Sequence, residues 1–192
     1  MSGPRSFVDR TVVIRSRGYL PHWELPGASY FITFRLADSL PRSLIEQLAR
    51  ERAALKFSED ADRAFALRLD EALDAGHGDD VLAHPAIAST VANALEHFNG
   101  TRYDLLTWCV MPNHVHVLAR LRDAIADVVH SWKSFTAHRA NTILGRSGRL
   151  WSREYYDRII RDDRELRDVS RYIMRNPEKI GLIAWPWMGT VL

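Results

Sequence analysis

The chain has 192 residues and a mass of 22.0 kDa, the size of one compact domain with room for an insertion, and too short for two full domains. With 46% apolar and 26% charged residues it has the composition of a globular protein, and its single cysteine, Cys109, excludes an internal disulfide framework and any multi-cysteine zinc site. No apolar run approaches the roughly 20 residues of a membrane span, and Arg5, Asp9, Arg10, Arg15 and Arg17 break up any signal peptide, so a cytoplasmic protein is expected.

The net charge of +2 is a sum of unlike segments. Residues 1–35 carry five arginines against two acids, residues 36–100 six basic against twelve acidic residues, and residues 101–192 fifteen basic against ten acidic. A basic start and a basic end flanking an acidic middle hint at a polyanionic partner, although an arginine-rich codon bias would leave the same mark.

In chain order, residues 1–27 contain several turn formers and no sustained periodicity, and read as an arm on the domain. Tyr30 to Arg35 is aromatic and β-branched, follows Pro26-Gly27, and predicts a central strand. Leu44, Leu48 and onward to Leu55 have helical spacing, with Ser39 or Ser43 available as a cap. The acidic stretch from about 57 to 85 reads as an inserted helix and loop, and residues 86–98 resume a helix through Ile87, Val91, Leu95 and Phe98. Leu105 to Val110 and His114 to Ala119 are strand-like runs joined by Met111-Pro112-Asn113, which predicts an antiparallel hairpin. Residues 124–144 form an amphipathic helix, Tyr155 to Ile160 a short strand, and Asp162 or Asp163 caps a last helix that Pro177 should end at Asn176. This order fits an α+β fold of ferredoxin-like type, an antiparallel sheet with helices on one face.

Three patterns carry chemistry. His114 and His116 alternate with Val115 in a strand, so both imidazoles project from one face about 7 Å apart in Cα. Such a pair can hold one divalent cation; two idle histidines on a solvated face fit the pattern equally well, and spacing does not name the metal. Tyr172 and Asn176 lie one turn apart on the last helix, where a phenol could act as nucleophile and an amide oxygen could complete a coordination shell. A tyrosine at helical spacing with Leu166 and Val169 is more often core, and Tyr155 and Tyr156 are rival nucleophiles of which at most one can face the site. Finally, Lys133, Arg139, Arg149, Arg153 and Arg158, interleaved with Trp151, have the chemistry of a nucleic-acid surface, phosphate pairing with base stacking. The alternative is a solvated face laced with acids.

Taken together, four stretches resemble the REP-associated tyrosine transposases, relatives of the IS200-like single-strand transposases within the HUH endonuclease superfamily. They are Pro26-Gly27 through Arg35, Trp108 through His116, Leu150-Trp151 through Arg158, and Tyr172-Ile173-Met174-Arg175-Asn176-Pro177 through Leu182. The resemblance implies a bacterial enzyme that cleaves and rejoins single-stranded DNA beside palindromic hairpins through a 5′-phosphotyrosine, with Mg²⁺ or Mn²⁺ as cofactor. The family's metal histidines fall on His114 and His116, its nucleophile on Tyr172, and the ligand one turn later on Asn176, where relatives carry a different amide or an acid. The implied division is an arm at 1–27, a catalytic domain at 28–185 with the acidic insertion at about 57–85, and a tail at 186–192. No role follows for the insertion, no general base is identified, and oligomeric state is open. A hairpin-binding regulator that has lost cleavage and a zinc hydrolase using the two histidines are the rival readings.

Overall fold

A computed structural model describes residues 13–16, 21–54 and 59–192. Much of the expected arm, residues 1–12 and 17–20, and the start of the insertion at 55–58 lie outside the described residues. What is described of the arm is not irregular: β1 (Val13–Ser16) and β2 (Pro21–Glu24) pair antiparallel in a small separate sheet. Four-residue strands are too short for alternation to stand out in sequence.

The main sheet contains β3 (Ser29–Leu36), β4 (Tyr103–Val110), β5 (His114–Leu121), β6 (Trp151–Ile160) and β7 (Met188–Thr190), in the order β6-β3-β5-β4-β7 with every neighbour antiparallel. The expected α+β antiparallel fold is therefore present, and β3 is an interior strand as its composition predicts. The last strand comes from residues read as a tail: Met188 to Thr190 pair with Cys109 to Thr107 and cover what would otherwise be the free edge of β4.

Helices are α1 (Arg42–Ala54), α2 (Glu59–Asp74), α3 (Pro85–His97), α4 (Ile125–Ile143) and α5 (Asp163–Lys179), with one 3-10 turn at Val81–Ala83. Helix α3 starts at Pro85, whose missing N–H costs nothing there, and the His84 Nδ1 accepts from the Ala86 N–H at 3.2 Å. Its buried Ile87, Val91 and Leu95 recur every fourth residue, and α4 buries Ile125, Val128, Val129 and Trp132 in the same way. These two helices pack with Tyr30, Ile32, Phe34, Val115, Val117 and Trp151 on one face of the sheet.

The second face is also covered. Phe31, Leu118 and Tyr156 meet Leu48 of α1, Phe65, Leu69 and Leu73 of α2, and Val169 and Ile173 of α5. The single helical layer expected from sequence describes α3 and α4; the opposite layer is built from α1, from α2 of the insertion and from the last helix. Strand alternation then decides the site: Val115 and Val117 enter the α3/α4 core, so His114 and His116 must enter the space beneath α2 and α5.

Two local expectations are corrected. Neither proposed serine caps α1: the Ser39 hydroxyl donates to the Leu36 carbonyl at 3.0 Å, and Ser43 lies inside the helix. Pro177 does not end α5, which runs on to Lys179 with Asn176 and Pro177 both buried. The restriction on the residue before proline is a bias, and packing of this turn against the sheet overrides it.

Candidate active site

The two imidazoles are completely buried and converge. His114 Nε2 and His116 Nε2 are 2.9 Å apart, and their ring planes stand at 76° to each other. Each ring is fixed from behind. His114 Nδ1 lies 2.7 Å from Asn113 Oδ1, a pure acceptor, so its proton sits on Nδ1 and Nε2 presents a lone pair. His116 Nδ1 lies 2.8 Å from the hydroxyl of Thr33, its register partner on β3, and its ring stacks on Phe31 at a centroid distance of 5.4 Å.

Two oxygen donors complete the cluster. Asp70 of α2, 6% exposed, places Oδ1 3.5 Å from His116 Nε2, and one ligand atom from each of Asp70, His114 and His116 lies within 4.8 Å of the others. Asn176 of α5 brings its amide nitrogen to 3.2 Å from His116 Nε2, while its Oδ1 is buried without a hydrogen-bond partner. Buried amide oxygens are rarely left so. A half-turn of the amide would exchange nitrogen and oxygen and aim the oxygen at the cluster. Two imidazole Nε2 atoms 2.9 Å apart beside a carboxylate and an orphaned amide oxygen fit a divalent cation, because right-angled ligands at about 2.1 Å from an ion are about 3 Å apart. The donor set, two imidazoles and two oxygens, fits a divalent cation without naming it, since imidazole is common to several transition metals and oxygen to the harder ions.

Above this cluster stands Tyr172. Its ring meets His116 edge-on at 5.8 Å and Phe31 at 6.0 Å, and its hydroxyl is buried without a partner. The Lys179 ammonium lies 3.9 Å from the centre of the Tyr172 ring and 3.9 Å from Asp70 Oδ2. The rival tyrosines are separated by strand alternation: Tyr156 shares the site face and packs on Phe31 and Phe65, while Tyr155 points into the other core beside Lys133.

Electrostatics follow from burial. Desolvation, with help from the Lys179 charge, pushes His114 down to about 3, and it holds His116, also opposed by His114, well below the usual imidazole range. Both rings are therefore neutral and ligand-competent at pH 7. Burial raises the Asp70 carboxyl to about 7, against the opposing pull of Lys179. For Cys109, which faces His116 across the β4–β5 ladder, burial raises the thiol to about 12 and its Sγ contacts Met111, so it is packing and not a ligand.

These shifts set a pH dependence for the metal-free fold. Below about pH 6.5 the unfolded chain protonates two histidines that the folded chain keeps neutral, so acid costs stability. Asp70 opposes this, since between about 7 and the ordinary carboxylate range its folded form holds a proton that the unfolded chain releases. Two groups outweigh one. In chelator the melting temperature should fall from pH 7 to pH 5, with a shallower slope in His114→Gln and a steeper one in Asp70→Asn; a flat wild-type profile would refute the assignment.

The expected DNA-contacting residues do not form one surface. Trp151 is a correction: it is 4% exposed, its indole N–H donates to Thr136 Oγ1 at 2.9 Å, and it packs edge-on to Phe34, so it cannot stack on a base. Lys133 is half-buried, donates to the Arg153 carbonyl at 3.0 Å, and desolvation lowers its ammonium to about 8. Arg139, Arg149 and Arg153 are exposed. Arg158 is on the opposite, Tyr172 side, ion-paired with Glu165 of α5.

Two residues of the cluster escape sequence reading. Asp70 lies in the insertion, 44 positions before His114, and its only local signal is an acid on the buried stripe of α2 between Leu69 and Leu73. Lys179 is one of three lysines in an arginine-rich chain, two helical turns after Tyr172 on the same helix. That spacing was available, but nothing marked it against the surrounding charges.

Residues 83–176 match the family model for IS200-like transposases. A Haemophilus influenzae protein classed as a REP-associated tyrosine transposase is 26% identical over 102 residues, covering 44% of this chain and 57% of that protein, so the chain spans little more than half of its curated relative. Among solved structures, a REP-associated tyrosine transposase bound to a REP hairpin aligns over 98% of this chain and 82% of its own length, with a TM-score of 0.53 at 15% identity, a likeness of fold. No helix among the described residues is long and apolar enough to cross a membrane. With the β5 histidines and the α5 tyrosine both on the sheet face that α2 closes, residues 83–176 form an IS200-like transposase domain in a chain that is similar to REP-associated tyrosine transposases.

Proposed function

We propose that the chain cleaves and rejoins single-stranded DNA beside a palindromic hairpin, with Tyr172 as nucleophile and Mg²⁺ or Mn²⁺ held by His114, His116, Asp70 and Asn176. The observation that carries this reading is the buried, unpartnered Tyr172 hydroxyl on the helix turn preceding Asn176, against the paired imidazoles. A bound cation would supply positive charge to a non-bridging oxygen of the scissile phosphate. Tyr172 Oη attacks phosphorus, the bond to the 3′ oxygen breaks, and the products are a 5′-phosphotyrosine and a 3′-hydroxyl; the phenol proton is lost to solvent and the leaving oxygen takes one up. The 3′-hydroxyl can reverse the step without ATP because the phosphodiester energy is retained in the tyrosyl ester.

A phenol titrates near 10, so the attacking form needs stabilisation. Lys179 supports this role: an ammonium over the ring face favours developing negative charge on the oxygen. Asn113 holds the His114 tautomer, Thr33 fixes the orientation of the His116 ring, and Phe31 excludes water from one side of the site.

The test is to incubate the protein with end-labelled hairpin oligonucleotides bearing unpaired flanks, in Mn²⁺ and in chelator, and to look for a denaturation-resistant adduct. An adduct formed only with the cation supports the reading; hairpin binding without any adduct would favour a regulator that has lost cleavage. The exposed Arg139, Arg149 and Arg153 are taken as phosphate contacts. Arg139→Ala and Arg153→Ala should each weaken binding of different hairpins alike, and each should reduce the slope of log affinity against log salt by about 1. Sequence-dependent losses in a salt titration would contradict that role.

A further inference from the structure

Beside Tyr172 the structure contains a cavity of about 150 Å³ between α2 and α5, floored by Phe31 and Val169 and walled by Ala66, Leu67, Arg158 and Glu165. By this measure it has room for on the order of ten waters, and so for one planar heterocycle. We propose that it receives a single unpaired nucleobase of the strand whose phosphate lies at Tyr172, a specificity pocket that rests on the DNA-cleavage reading above.

Four features point to a base. Arg158, a lining residue, has its Nε buried without a hydrogen-bond partner although its Nη1 pairs with Glu165, so a small turn of the guanidinium would bring an unused N–H donor to the cavity. A carbonyl or ring nitrogen on a base edge would satisfy it. Leu67 is 53% exposed at the rim, where an apolar side chain gains by covering a ring. Phe31, already stacked on His116, gives the floor an aromatic wall on which a base can rest. A second phosphate would find no free guanidinium pair in the lining: Arg158 is already paired with Glu165, and Arg63 stands among Asp70 and Asp168, whereas a neutral base needs no such charge.

The acidic insertion thereby acquires a function, since α2 supplies Ala66 and Leu67 as one side of the pocket and Asp70 at its base. The orientation of the strand follows: the phosphate sits toward the histidines and the adjoining base turns outward between α2 and α5.

The test uses the full chain with Tyr172→Phe, so that binding is read without cleavage, and a labelled hairpin whose unpaired flanks carry one abasic site walked position by position. One position should weaken binding about tenfold and its neighbours little. Ala66→Trp, which fills the cavity, should weaken binding of the intact strand by a similar factor and not weaken binding of that abasic strand further. Leu67→Ser, at an exposed site where folding is not at stake, should show a smaller loss with the same pattern. No sensitive position, or penalties of abasic site and Ala66→Trp that multiply, overturns the pocket. Failure of the catalytic reading appears elsewhere, as absence of a covalent adduct with the wild-type chain.

Discussion

Tyr172→Phe should abolish the covalent protein–DNA adduct, lowering cleavage by at least about a thousandfold, while hairpin affinity and melting temperature stay close to wild type. The separation of these effects comes from the local structure. The hydroxyl is buried and makes no hydrogen bond, so its removal strands no partner and exposes no cavity of consequence. The ring that remains keeps its edge contacts with Phe31 and His116 and its place beneath Lys179. Tyr156→Phe and Tyr155→Phe should leave the adduct intact, the first because Tyr156 packs on Phe31 and Phe65, the second because Tyr155 lies in the opposite core. An adduct surviving in Tyr172→Phe, read on a denaturing gel, would reassign the nucleophile.

His116→Gln should lower cleavage and Mn²⁺ affinity together, each by at least about a hundredfold. His116 is the hub: Thr33, His114, Asp70 and Asn176 all approach it, three of them at Nε2. Glutamine can still bond to Thr33 yet cannot reproduce an imidazole lone pair aimed along the same line. A Mn²⁺ titration followed by the signal of the free ion gives the affinity independently of DNA. Unchanged Mn²⁺ affinity with lost cleavage would move the ion away from His116 and sink the four-residue cluster. Asp70→Asn should show the same two losses to a lesser degree, about tenfold, because a neutral amide keeps an oxygen donor.

Local pattern explains what could be read from the chain. The alternation in His114-Val115-His116, the one-turn spacing of Tyr172 and Asn176, and the periodic apolar positions of α3 and α4 are all properties of single elements, and each reached the three-dimensional arrangement unchanged. Trp151 misled because an aromatic among arginines looks the same whether it stacks on a base or fills a core; only the pairing of Leu36 with Trp151 across β3 and β6 turns it inward beside Phe34. The insertion was opaque for the opposite reason. Its acidity marks an inserted helix and loop and no more, yet α2 buries Phe65, Leu69 and Leu73 and carries Asp70 on the same stripe, and that stripe acquires meaning only against β5 and α5. Met188 to Thr190 likewise became a strand because β4 offered an edge, not because three residues announce one.

Asn113 touches both histories. Its amide nitrogen donates to the Leu73 carbonyl at the end of α2, and its oxygen holds the Nδ1 proton of His114. Which nitrogen of a buried imidazole is free to donate its lone pair is thus decided partly by where a helix 40 residues earlier in the chain comes to rest. A change in the insertion that never touches the histidines, if it shifted Leu73, would let Asn113 turn and the proton migrate, and the chain would record a movement of α2 as a change of tautomer at its centre.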